Sequence, residues 1–151
     1  MNISIMRFGD VQIAEFDSPT VLISINTENE RPDVEEKKNL DAVLFLTFDD
    51  LEGPSAGMLF DPPANLFTDE QAQQVLDFVK DHEDKHVVCQ CEAGISRSAG
   101  CAAALARIYD GDDKWIFGSH RYFPNMRVYR KILEAHYGKM GEALCEQQDV
   151  S

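Results

Sequence analysis

Eight consecutive residues in the second half of the sequence hold the chemistry: Cys91-Glu92-Ala93-Gly94-Ile95-Ser96-Arg97-Ser98. They stand between a short apolar run, His86 to Gln90, and a stretch of small residues that begins at Ser98. Strand, tight loop, helix is an anion-binding arrangement, because the first amides of a helix lack partners and its macrodipole places partial positive charge there. Gly94 suits the unusual backbone angles that a nest of converging amides requires. Arg97 adds a planar guanidinium that can clamp two oxygens of one phosphate. A cysteine at the head of such a loop sits among amides, helix dipole and guanidinium, surroundings that favour thiolate over thiol. From Cys91 a thiolate can attack a bound phosphoryl group in line. The loop from Glu92 through Ala93, Gly94 and Ile95 to Ser96, with Arg97, would take up the charge on the equatorial oxygens. Ser98 is then placed to donate its hydroxyl to the thiolate as it leaves. The scheme needs no cofactor and no metal.

The loop resembles the CxxxxxR[ST] signature of the cysteine-dependent tyrosine and dual-specificity phosphatases, and AGISRSAG, Ala93 to Gly100, is similar to the small bacterial or phage-like and dual-specificity branch. The resemblance covers about residues 42–104. It implies hydrolysis of a phosphomonoester through a phosphocysteine intermediate, acting on phosphotyrosine, with phosphoserine and phosphothreonine as the further substrates of the dual-specificity type. The substrate would be a phosphorylated protein or a small phosphoester. Such a reaction needs its leaving oxygen protonated, and the resemblance implies an aspartate on a loop after an earlier strand. Asp49 and Asp50 follow the apolar run Ala42 to Phe48. The strand-x-Asp pattern favours Asp50, 41 residues before Cys91, with Asp49 as the alternative and Asp61 a weaker third. One position departs from the pattern: the family usually has a histidine directly before the nucleophile, and here stands Gln90.

Other elements must position this loop. Ile3 to Phe8 and Thr20 to Ile25 read as strands, with a helical turn or two from Gly9 to Phe16 between them. Residues 26–39 are polar and charged, a solvated loop or a frayed helix. The run Ala42 to Phe48 is apolar almost throughout, as in a strand covered on both faces. Gly53, Pro54, Gly57, Pro62 and Pro63 punctuate a long connection. Thr68 and Gln71 form a capping-box pattern, followed by Ala72, Val75, Leu76 and Val79 at helical spacing. Ser98 to Tyr109 reads as a buried helix, 110–124 as a loop and Asn125 to Tyr137 as an amphipathic helix. Strands alternating with helices predict an α/β fold, one domain with a central, mostly parallel sheet flanked by helices, and residues 141–151 as a flexible tail.

The chain has 151 residues, 44% of them hydrophobic, enough for one ordinary core. No run reaches the length of a membrane span, and Met1 to Asp10 lacks the layout of a signal peptide, so the expectation is a cytoplasmic protein. A net charge of −13 argues against general binding to nucleic acid or to an anionic membrane. The basic residues gather around the loop: residues 86–140 hold 8 Lys and Arg against 5 Asp and Glu, whereas residues 1–85 hold 6 against 19. Oligomeric state is not legible. His120, Arg121, Arg127, Arg130 and Lys131 form either a basic rim for an anionic substrate or solvated charges. Trp115, Phe117, Tyr122 and Phe123 either line the pocket or, the favoured reading, anchor their loop in the core. Cys89 and Cys91 with His82 and His86 lack a matching second pair for zinc. Cys89 and Cys101 read as core, Cys89 alternatively as a trap for oxidised Cys91, and Cys145 as exposed. Two other functions fit the loop: a phosphate-binding module without turnover, and a rhodanese-type sulfurtransferase, which Arg97-Ser98 and the upstream aspartate count against.

Overall fold

The computed structural model describes residues 1–28, 30–53 and 64–138. Four parallel strands form one sheet: β1 (Ile3–Arg7), β2 (Thr20–Asn26), β3 (Leu40–Thr47) and β4 (His86–Cys91), in the order β1-β4-β2-β3. The helices are α1 (Phe8–Ile13), α2 (Asp69–Lys80), α3 (Arg97–Asp110), α4 (Lys114–Phe117) and α5 (Met126–Tyr137). The strand and helix types follow the sequence reading, with three local differences. Phe8 opens α1 rather than ending β1. Residues 114–117, expected as loop, make one helical turn whose Ile116 is fully buried. The run from Ala42 packs on both faces, Ala42 and Leu44 against one core and Val43 and Phe45 against the other, but β3 is an edge strand and these four residues are only half-buried.

Side chains alternate across a strand, so the sheet has two cores. Val21, Ile23 and Ile25 of β2 and Val87, Cys89 and Cys91 of β4 face the larger one, against α2, α3 and α5. Leu22 and Val88 face the smaller one, with Val11 of α1 and Val34. Helix α3 is buried along its first ten residues, Arg97 to Ala106, which is why all of them but Arg97 and Leu105 are Ala, Gly, Ser or Cys. Thr68 caps α2 with the reciprocal bonds of a capping box: its Oγ1 accepts from the Gln71 amide at 3.1 Å, and its own amide donates to Gln71 Oε1 at 3.0 Å. Gln71 Nε2 also reaches the carbonyl of Thr47 at the end of β3, tying the helix start to the strand end near the site. Arg127 Nε donates to the Phe67 carbonyl and Lys131 binds Asp69, so α5 holds the start of α2. These two cations serve the scaffold rather than a substrate rim. Gly111, with φ +68, ends α3 in the left-handed conformation that stops a helix.

Candidate active site

Open parallel sheets bind ligands beyond the carboxyl ends of their strands. Four strand ends meet here. The loop after β4, residues 92–96, rests on the end of β1: the Phe8 amide donates to the Glu92 carbonyl at 3.2 Å. Gly94 has φ +66, and a Cβ there would lie 2.9 Å from the Arg7 nitrogen, so both conformation and space demand glycine. Thr27 at the end of β2 and Asp50 after β3 close the other side. The cleft so formed, ≈ 500 Å³, is lined by Cys91, Glu92, Ala93, Ile95, Ser96 and Arg97 together with Thr27 and Asp50. Of the catalytic candidates from the sequence, Cys91, Arg97 and Asp50 line this one cleft; Asp49 does not, and Ser98 is buried beside it with its Oγ 3.0 Å from Cys91 Sγ.

Arg97 is the first residue of α3 and is buried. Its Nη1 donates to the Phe48 carbonyl at 2.8 Å and to Thr27 Oγ1 at 2.9 Å, and its Nη2 lies 4.0 Å from Glu92 Oε2. One edge of the guanidinium is thereby fixed to the ends of β2 and β3. Ser96 stands at the N-cap of α3, but its hydroxyl makes no capping bond; it donates to Asp50 Oδ1 at 2.7 Å. Where a serine normally satisfies an early helix amide, this one leaves α3 without a side-chain cap at the cleft.

Asp50 is exposed, and the same Oδ1 also accepts from Asn125 Nδ2 at 2.9 Å. Asn125 is buried, and its own Oδ1 caps α5 by accepting from Val128. Its backbone amide donates to the Ser96 carbonyl at 2.9 Å, so one residue joins the loop after β4, the candidate acid and α5. Asp49 does something else: its Oδ2 accepts the Asn65 amide at 2.8 Å and its own amide donates to the Asn65 carbonyl, which pins the two ends of the 50–64 connection. Asp61 and Cys145 lie outside the described residues.

Gln90, where the family pattern has histidine, is fully buried on the face of β4 opposite to Cys91. Ser24 Oγ donates to its Oε1, its Nε2 donates to Asn26 Oδ1 at 3.0 Å, and Asn26 Nδ2 donates to Ser24 Oγ at 2.9 Å. The three side chains close a ring of hydrogen bonds beneath the sheet with no ionisable member. Cys89 is fully buried with its sulfur 3.8 Å from that of Cys101, and this contact together with burial pushes the Cys89 thiol well up. It is a protonated core residue at neutral pH, a poor trap for an oxidised neighbour. Among the described residues no group of His, Cys, Asp and Glu has the arrangement of a metal site, and no helix is long and apolar enough to cross a membrane.

The sequence reading missed Thr27 and Asn125. Neither belongs to a local motif; they reach the site across 70 and 75 residues of chain. Trp115, Phe117 and Phe123, expected as core anchors, are 43%, 41% and 72% exposed, because the buried anchor of that segment is Ile116.

No family model matches the sequence, and no curated protein matches it. Solved structures do. The human tyrosine phosphatase-like serine/threonine/tyrosine-interacting protein superimposes with a TM-score of 0.62 at 17% identity, over 90% of this chain and 91% of that one. Human DUSP28 gives 0.56 at 14% identity over 97% and 94%. PTPMT1 in complex with PI(5)P gives 0.56 at 16% identity over 94% of both chains. Over nearly its whole length, then, the chain has the α/β fold of the tyrosine and dual-specificity phosphatases.

Proposed function

We propose that the protein is a phosphomonoester hydrolase of the tyrosine or dual-specificity type, with Cys91 as nucleophile. The observation that carries this reading is the convergence of Cys91, Arg97 and Asp50 on one cleft at an uncapped helix start, with the Ser98 hydroxyl 3.0 Å from the Cys91 sulfur. The phosphoryl group sits over the N-terminus of α3 with the guanidinium on its equatorial oxygens. The Cys91 thiolate attacks phosphorus, the P–O bond to the leaving group breaks, and Asp50 delivers a proton to the departing oxygen. Asp50, now a carboxylate, takes a proton from water as that water attacks the phosphocysteine. The P–S bond breaks, phosphate is released, and the Ser98 hydroxyl donates a hydrogen bond to the returning thiolate. Substrates are phosphotyrosine, phosphoserine or phosphothreonine in a protein, or a small phosphoester.

A second reading has a specific support: one of the similar structures is a phosphatase-like interacting protein. On that reading the cleft holds phosphorylated partners without turnover. One experiment separates the two. Hydrolysis of p-nitrophenyl phosphate is measured for the native chain and for Cys91→Ser, with and without EDTA, and phosphate or vanadate binding is measured for both. The hydrolase reading expects turnover that survives EDTA and is abolished in Cys91→Ser while phosphate still binds. Binding without turnover in the native chain establishes the second reading. Unchanged turnover in Cys91→Ser removes Cys91 from the reaction.

A further inference from the structure

A second groove of ≈ 440 Å³ adjoins the catalytic cleft, lined by Phe117, His120, Tyr122, Phe123, Met126 and Glu52 among others. The residues that wall the two clefts are joined to one another. Ile95 lines the first and is 40% exposed; its carbonyl accepts the amide of Phe123, which lines the second, at 3.0 Å. On the other side Asp50 lines the first and Glu52, two residues on, lines the second. Glu52 is itself fixed, its Oε1 accepting the Met126 amide at 2.9 Å.

Phe123 presents 72% of its surface to solvent on a segment that is not a loose loop. Its own amide and that of Asn125, two residues later, are both bonded to the catalytic loop, at Ile95 and Ser96. Phe117, 41% exposed, is held edge-on against Tyr129 with ring centroids 5.0 Å apart. Tyr129 is in turn anchored to Asp113 and Arg107. Large apolar side chains held rigidly in water beside a reaction centre are the form an apolar recognition site takes.

On the phosphatase reading above, we propose that this groove is a substrate subsite, and that it receives an apolar side chain flanking the phosphorylated residue of a phosphopeptide. An extended peptide advances ~3.3 Å per residue, so a chain whose phosphate lies over Cys91 and which crosses the Ile95 wall brings a neighbouring side chain onto Phe123. The charge of the molecule favours a peptide over a lipid headgroup in a membrane, because a net −13 is repelled by an anionic surface. Phe123 is thereby a specificity-determining residue.

The test uses two phosphotyrosine peptides identical except for the residues beside the phosphotyrosine, leucine in one and serine in the other. The ratio of their kcat/KM values is read for the native chain, Phe123→Ser and Phe123→Trp, with p-nitrophenyl phosphate turnover as the reference for the chemistry. The expected ratio is roughly 10-fold in favour of leucine, carried by KM, collapsing to near unity in Phe123→Ser and kept in Phe123→Trp. A native ratio near unity, or one that survives in Phe123→Ser, overturns the proposal. So does a preference for vesicles containing a phosphoinositide over both peptides. A marked fall in thermal stability of Phe123→Ser also overturns it, since the ring would then be covered by the protein itself. If the reference substrate is not turned over, the hydrolase reading fails separately, and the same ratio is read from peptide dissociation constants.

Discussion

Asp49 and Asp50 are neighbours in sequence with the same side chain, and the structure gives them different work. Asp49 is spent on backbone: it closes the 50–64 connection through Asn65. Asp50 faces the cleft, its Oδ1 fixed by Ser96 and Asn125. The proposed acid is therefore held by the same loop that is proposed to hold the phosphate, which would keep donor and leaving oxygen in register. Asp50→Asn is expected to lower kcat/KM for an aryl phosphate by roughly 10²-fold or more and to flatten the alkaline limb of its pH profile. The loss should shrink for substrates with good leaving groups, which need little protonation. Asp49→Asn should keep both limbs and instead lower stability. A flattened limb in Asp49→Asn with an intact one in Asp50→Asn would reverse the assignment. The choice between the two was legible in the sequence only as a pattern after a strand. What favours Asp50 in the structure is its place on the cleft and its bond to Asn125, a partnership that spans 75 residues and leaves no local trace.

Among the elements, α3 connects packing to the site. Its buried face carries Gly100, where a Cβ would lie 2.5 Å from the Asn125 carbonyl oxygen and 3.2 Å from its nitrogen. Alanine in a helix interior is worth ~1 kcal/mol over glycine, yet here the contact is with backbone that has no rotamer to change. Gly100→Ala is therefore expected to destabilise by about 1–3 kcal/mol, read as a lower midpoint of urea unfolding. It should also impair the reaction, because displacing Asn125 loosens Asp50. A variant as stable and as active as the native chain would show that the α3–α5 approach has slack. The strand and helix pattern was readable from hydrophobic periodicity and from the Thr68-Gln71 box, since both are local signals. The partial exposure of β3 was not, because an edge strand differs from a central one only in its neighbours, and strand order is a property of the assembled sheet. The same holds for Gln90: its ring with Ser24 and Asn26 joins adjacent strands, β2 and β4, whose pairing the sequence does not spell out.

For the molecule as a whole, charge and function pull in opposite directions. The substrate class proposed is anionic, while the chain carries −13, with most of the excess in residues 1–85. Around the cleft itself Arg97 is countered by Asp50 and by Glu92, whose carboxylate lies 4.0 Å from the guanidinium. On the proposed function, attraction of phosphate is thus short-range, a matter of helix amides and one fixed guanidinium, and a net charge of −13 is expected to repel acidic substrates at long range. Exposed charges are screened over ~10 Å at 0.1 M salt, so adding salt should remove the repulsion first and weaken the buried contacts little. Two phosphopeptides of equal length and identical residues beside the phosphotyrosine, one with acidic and one with basic distal residues, are expected to respond oppositely between about 10 and 150 mM salt. The kcat/KM of the acidic peptide should rise and that of the basic peptide fall, with the change in association rather than in kcat. Competition by the salt anion in the cleft would lower both together, so it is the ratio of the two that reports the field. A ratio independent of salt would mean that the acidic surface lies too far from the approach path to be felt, and that only the cleft's own charges select the substrate.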